Sequence, residues 1–320
     1  MEEGKIYTRG NSFRAKAELH ARKYRSEVLG LVSYDNYGHI LDEVDANNGL
    51  NFINPEILHS VKLRENAGKG IHFGRTSKNL LSSQAMCFNL FEPLNKDKRL
   101  LIGILNSLLK INVKEIIGEI QIEFTPPKEI LNDQTGKTGV DCDAFIEYKT
   151  QDNLKGLLVI ETKYVEKEFS NCGFKKSSQN DKCPNELILE ELEQSCRYHT
   201  KKYYKYWNRT MESDIFDMTR ILGGPCPFGG ALWQLWTNSV LAYGLSDLKG
   251  YDQFYYVVIA PRENYALSQN NSIWDQFSQL LKKDTFRVLF IEDVITELLS
   301  IAPNSDWIKL FQRKYIVGSN

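Results

Sequence analysis

Long apolar runs are missing from this sequence. No stretch of about eighteen apolar residues occurs, the length a membrane-spanning helix needs, and the opening MEEGKIYTRGNS has no apolar core of the kind a secretory signal carries. A cytoplasmic location without membrane association is the expectation. An excess of one charge is missing too. Lys and Arg number 40 against 41 Asp and Glu, leaving a formal net charge of −1. The chain therefore does not bind polyanions by bulk charge, and any such contact must come from local basic patches. Histidine is sparse: His20, His39, His59, His72 and His199 are scattered without metal-ligand spacing. Phosphate-binding loops are absent as well. Gly136-Lys137-Thr138 has Leu131 where a P-loop needs its first glycine. Gly68, Gly70 and Gly74 do not follow a strand and lack dinucleotide-fold spacing, so they read as a flexible loop.

The six cysteines include no C-x2-C pair. Cys87 and Cys142 have apolar neighbours and read as buried small hydrophobes. Cys172, Cys183, Cys196 and His199 could close a tetrahedral Cys3His zinc site, since Cys196 and His199 lie three apart in a helical stretch. Their spacing matches no standard finger, so reduced, unliganded thiols are the expectation.

What is present is a short motif in a telling context. GVDCDAFIEY, a polar turn KTQDNLKG and LLVIETKY form two apolar, β-branched and aromatic runs, the pattern of a β-hairpin. Side chains in a strand alternate faces with period two, so Glu161 and Lys163 point the same way. Asp143 opens the neighbouring strand and can face them. Two carboxylates and an ammonium converging on one point suit metal-assisted phosphodiester hydrolysis. The carboxylates hold a hard cation such as Mg²⁺ by oxygen. The cation polarises the phosphate and acidifies a water, while lysine positions that water or offsets developing charge. Acid-x-Lys triplets also occur at Glu3-Gly4-Lys5 and Glu147-Tyr148-Lys149. Only Glu161-Thr162-Lys163 follows an all-apolar run, Leu157-Leu158-Val159-Ile160, that reads as a strand buried on both faces. Charges at the end of such a strand are costly unless paired or metal-bound.

These residues resemble the core of the PD-(D/E)xK nuclease superfamily, with most similarity to bacterial restriction-endonuclease-like proteins that carry a D-A-F … IETKY pattern. The upstream segment SSQAMCFNLFEPL (82–94) resembles that group as well. The resemblance implies a metal-dependent endonuclease acting on double-stranded DNA, of restriction or phage-defence type, with a homodimer as one expected assembly. It also implies Asp143 and Glu161 as metal-binding acids and Lys163 as the catalytic lysine. Asp141 lies two residues before Asp143 and shares its face. Asp143 is preferred because it directly precedes Ala144-Phe145-Ile146. The superfamily's proline before the first Asp is missing. A third acid often completes such a site, and Glu115, Glu119 and Glu123 are spaced to share one face of a strand, opposite Ile116, Ile120, Ile122 and Phe124. Glu123, nearest the strand end, is favoured as the further metal ligand. Gln84 is a candidate to line the cleft. The alternatives are an inactive nuclease fold kept as a DNA-binding or assembly module, and a repair nuclease or RNase on the same fold.

The chain alternates helical and strand patterns, which predicts an α/β class with a mixed central sheet flanked by helices. Expected strands are 114–125, the hairpin, 254–261 and 285–291. Expected helices include 14–30, 55–64, 83–92 capped by Ser82, 96–111, a long one over 186–208, 231–245, 272–283 and two short final ones. Residues 1–70 read as an N-terminal helical and loop region with a DNA-contacting role, and 71–320 as the nuclease-like domain. Two basic stretches are candidates for DNA contact. One is the helix carrying Arg14, Lys16, Arg22, Lys23 and Arg25. The other, 197–209, interleaves Lys and Arg with aromatics. The competing reading of the second is an amphipathic helix whose aromatics pack inward while lysines reach solvent.

Overall fold

The structure is a computed structural model and describes residues 3–33, 37–68, 70–134, 139–174, 183–269 and 272–319. The Gly136-Lys137-Thr138 triplet lies outside the described residues. Five strands form one sheet in chain order: β1 (Val113–Phe124), β2 (Cys142–Thr150), β3 (Lys155–Thr162), β4 (Gln253–Ala260) and β5 (Phe286–Phe290). β1, β2 and β3 are antiparallel neighbours, whereas β3–β4 and β4–β5 are parallel. The parallel pairs require crossovers, which the chain between Thr162 and Gln253 and the short helices before β5 supply. This is the mixed, helix-flanked sheet the sequence pattern predicts.

Period-two alternation sorts the sheet residues into two cores. Ile146, Leu158, Ile160, Val257 and Ile259 face one, covered by the helices Ser83–Lys96, Lys98–Ile104 and Ile291–Ile301. Phe145, Leu157, Val159, Tyr256 and Val258 face the other, covered by the Leu232–Lys249 helix. β3 is thus buried on both faces, as its apolar run implies. The first core also takes in Phe13, Ala17, Leu41, Phe52, Ile57 and Val61 from the first seventy residues.

Several boundaries differ from the sequence pattern for identifiable reasons. Ser82 caps its helix as expected, its hydroxyl accepting the Ala85 N–H at 3.2 Å, but that helix runs on to Lys96. The expected 96–111 helix is α-helical only over Lys98–Ile104 and closes in a π turn, Leu105–Leu109. The 14–30 helix likewise ends at Lys23 and continues as a π turn through Val28. The long 186–208 helix does not form. It is broken into short pieces by extended backbone at Cys196 (φ −91°, ψ 121°) and left-handed backbone at Tyr203 (φ 59°). Tyr204, Tyr206 and Trp207 are all buried, and one helical stripe cannot bury three aromatics so closely spaced. The 272–283 segment is helical only over Ile273–Ser278.

Candidate active site

The strand ends of the hairpin and of β1 meet where regular alternation fails. Ile122 pairs with Ala144 and both face the first core, whereas Phe124 pairs with Cys142 and both belong to the second. The residues between them, Glu123 and Asp143, sit where both strands change phase. Glu123 has φ 52°, a left-handed conformation that a non-glycine residue rarely takes and that costs on the order of 1–3 kcal/mol. The expectation that Phe124 shares a face with Ile122 therefore fails. Phe124 instead stacks on Phe145, with ring centroids 4.4 Å apart. Of the three glutamates that periodicity does not separate, Glu115 and Glu119 are exposed, and Glu123, the one favoured, is buried.

Glu123, Asp141, Asp143 and Glu161 line one cleft of about 190 Å³, together with Gly70, His72, Arg75, Ser83, Gln84 and Thr162. Asp143 Oδ2 accepts both the backbone N–H and the hydroxyl of Thr162, each at 2.6 Å. A Cβ on Gly70 would stand 3.0 Å from Asp141 Oδ2 and 3.5 Å from Glu123 Oε2. The glycine-rich loop therefore lies directly against two of the acids, an approach a larger residue would crowd. Gln84 holds this loop, donating to Gly70 O at 3.2 Å and accepting the Thr76 hydroxyl, and it also hydrogen-bonds the Glu123 carboxylate.

Lys163 and Glu161 form a buried ion pair with Nζ–Oε1 at 2.8 Å. The sheet continues to Lys163 through its N–H to Ile259 O at 2.8 Å, which fixes the direction of the side chain. Sequence reasoning passed over three partners here. Gln234, on the Leu232–Lys249 helix, donates to Glu161 Oε1 at 2.7 Å and accepts from Lys163 Nζ at 3.1 Å. Asn238, one turn on, donates to Glu161 Oε2 at 3.3 Å. Phe169 places its ring 5.1 Å from the Lys163 ammonium. The one available signal was two amides spaced i, i+4 on the Trp-containing helix Leu232–Lys249.

The electrostatics are those of crowded acids. Burial first, then Glu161, raises the Asp143 carboxyl to about 8, against the hydrogen bonds from Thr162 that lower it. Burial and then Asp143, Asp141 and Glu161 push Glu123 well above the ordinary range. Burial alone would lower Lys163, yet Glu161, Glu166 and Asp143 keep its ammonium above the usual value. Among the described residues no three His, Cys, Asp or Glu side chains are already arranged around a single metal position. The donor set nonetheless fits a hard divalent cation. Glu123 Oε1 is buried without a hydrogen-bond partner, and a single buried lysine stands against four clustered carboxylates.

The basic candidates separate cleanly. Arg22 and Arg25 are buried, and Arg22 pairs with Glu3 at 3.2 Å, so these two cannot reach a phosphate and the five-residue basic face is corrected to Arg14, Lys16 and Lys23. In 197–209, Tyr204, Tyr206 and Trp207 pack inward while Lys201, Lys202 and Lys205 are exposed, but the segment is broken at Tyr203 and is not the single amphipathic helix expected. His199 Nε2 lies 3.4 Å from Glu193.

A family model described as the PD-(D/E)XK nuclease superfamily matches residues 8–317, nearly the whole chain. No curated protein and no solved structure matches it.

Proposed function

The chain belongs to the PD-(D/E)XK nuclease superfamily, and from that premise we propose that it is a Mg²⁺-dependent endonuclease that hydrolyses double-stranded DNA in restriction or phage defence. The observation that carries this reading is the buried Glu161–Lys163 pair beside the crowded carboxylates of Asp143 and Glu123. A chain that only bound DNA would have no use for a buried ammonium held by an amide and an acid at one end of an acidic cleft.

Asp143, Glu161 and Glu123 would hold the cation, which when bound polarises the phosphate and lowers the pKa of a water. Asp141, next to Glu123, is the alternative acid. Lys163 orients the attacking water or offsets charge developing on the phosphate, and its position is set from both sides by Glu161 and Gln234. Phe169 and the surrounding burial keep bulk water from the ammonium, which strengthens its field on the reacting phosphate. Arg75 and His72, exposed at the rim of the same cleft, are placed to contact the flanking phosphates.

The direct test incubates the purified protein with plasmid and Mg²⁺ and sequences the ends. Divalent-dependent cuts at defined sites support the proposal. Binding without cleavage of any DNA or RNA would replace it with the assembly-module reading. Cleavage confined to RNA would replace DNA as substrate.

Two further outcomes are expected. Gln234→Ala should slow single-turnover cleavage by about 10–100-fold, the usual cost of losing a group that orients a catalytic side chain. It should also move the pH–rate profile, because Lys163 loses the amide oxygen that accepts from its ammonium. An unmoved profile would reduce Gln234 to a packing role. Arg75→Gln should weaken binding to all sequences alike and lower the salt slope by about one unit. An unchanged slope would place the phosphate contacts elsewhere, with Lys201, Lys202 and Lys205 the next surface to test.

A further inference from the structure

The N-terminal part of the chain presents two tyrosines to solvent on backbone that is tied down. Tyr7 and Tyr37 are 56% and 42% exposed, and their rings meet edge to face with centroids 4.9 Å apart. The buried carboxylate of Glu18 accepts the N–H groups of Tyr7 and Thr8, at 2.5 and 2.7 Å. Lys5 and Tyr37 form a parallel bridge, and Gly38 N donates to Lys5 O at 2.8 Å. Arg22 holds the start of the segment, its Nε donating to Glu3 O at 2.9 Å. Gly38 permits this close approach, because a Cβ there would collide with Glu3 O and the Arg22 side chain. Rings carried on such a backbone are already in place, so a ligand that meets them loses little entropy in ordering them.

The surroundings of the pair are cationic. The Arg14 guanidinium stands 5.7 Å from the Tyr7 ring centroid. Lys5 and Arg9 lie on either side of Tyr7 in the chain and are exposed. The acids of residues 3–20 are Glu3, paired with Arg22, and the buried Glu18. Contacts on two sides place this surface beside the cleft. The Phe13–Lys23 helix sets Phe13 against Tyr164, the residue after Lys163, with centroids 6.1 Å apart, and Lys16 against Glu263 at 3.2 Å. On the other side, Leu80 N donates to His39 O at 3.0 Å and Leu41 N to Lys78 O at 2.8 Å. The segment joined in this way lies between Arg75 and Thr76 and the residues Ser82, Ser83 and Gln84, all of which line the cleft.

We propose that Tyr7 and Tyr37, with Arg14, form a stacking site for an unpaired nucleobase of the DNA strand held in the cleft. The inference rests on the reading of the cleft as a DNA-cutting site and adds the form of DNA that the site prefers. A tyrosine ring offers a base a flat apolar surface, and the guanidinium beside it meets the adjoining phosphate. A paired base hides both of its faces in the helical stack, so only an unpaired one reaches the tyrosines. Nucleotides left unpaired beside the cut, at a mismatch, a gap or a duplex end, are therefore favoured over continuous duplex. A phosphodiester strand also answers the positive charge at Lys5, Arg9 and Arg14, which an uncharged protein surface would not.

The test measures binding of the full chain, with Ca²⁺, to two labelled duplexes of one sequence. One is fully paired and the other carries a short unpaired stretch at its centre. Wild type should bind the second about tenfold or more tightly. Tyr7→Ala should bring that ratio close to one, whereas Tyr7→Phe, which keeps the ring, should retain most of it. A measurement on wild type alone guards against a variant that loosens the terminus: iodouracil among the unpaired nucleotides should crosslink to Tyr7 or Tyr37 on irradiation. Equal affinity of wild type for the two duplexes, an unchanged ratio in Tyr7→Ala, or crosslinks only to residues elsewhere would overturn the proposal. So would dimerisation of wild type that Tyr7→Ala abolishes, which would make the pair a contact between two copies of the chain. Mg²⁺-dependent cutting of paired duplex without the preference would overturn this site and leave the nuclease reading standing. Failure to bind any DNA would overturn both.

Discussion

Asp143→Asn should lower single-turnover cleavage by at least about a thousandfold, equivalent to roughly 4 kcal/mol on the barrier, while the metal-free protein becomes more stable. The two effects have one cause. Asp143 and Glu123 are buried beside Glu161 and Asp141, and their desolvation, then their mutual repulsion, costs folding energy whenever no cation is bound. Asparagine keeps a carbonyl oxygen for the Thr162 N–H and hydroxyl and removes the charge. The folded-state value of about 8 for Asp143 lies above its ordinary 3.8. Its contribution to stability is therefore fully present below 3.8 and is lost as pH rises through about 8. Thermal denaturation without divalent ions should show wild type weakening across that range and Asp143→Asn weakening less. Mg²⁺ should raise the melting temperature of wild type and leave the variant nearly unchanged. Normal cutting by Asp143→Asn alongside a dead Asp141→Asn would transfer the role to Asp141. A melting temperature that does not change with pH across that range would show that neither burial nor neighbouring charge disfavours the Asp143 carboxylate.

The second large effect belongs to Lys163. Lys163→Ala should leave Ca²⁺-supported DNA binding nearly intact and lower Mg²⁺-dependent single-turnover cleavage by about two or more orders of magnitude. A passive metal site does not need this ammonium, so binding and cleavage should separate at this position and not at the acids. Removing the lysine also strips Glu161 of its ion pair, leaving it the amides of Gln234 and Asn238 among the described residues, and the variant should melt earlier than wild type. A variant that binds and cuts like wild type would reduce Lys163 to a structural partner of Glu161.

How much of this was readable along the chain depends on the range of the interaction. The hairpin, the doubly buried β3 and the shared direction of Glu161 and Lys163 follow from period-two alternation among neighbouring residues, because sterics within one strand determine where each side chain points. The same rule misread β1. A single left-handed residue, Glu123, exchanged the faces of the strand end and turned one of three equivalent-looking glutamates into the cleft. That conformation carries no sequence signature in a glutamate and persists only because the surrounding packing imposes it.

Charge along a helix was equally ambiguous. Arg22 and Arg25 count as basic in the sequence, yet they lie on the inward side, so their charges serve packing and ion pairing. The aromatic-rich 197–209 segment forms no single helix, because three closely spaced rings each find a buried place. Local sequence determined the class of fold, the strand that carries Glu161 and Lys163, and the chemistry of the residues at its end. Tertiary structure alone decided which distant groups complete that end: Gln234 and Asn238 across the sheet, and Gly70 and Gln84 over the acids. Contacts between residues far apart in the chain depend on how whole elements pack, and no local periodicity encodes them.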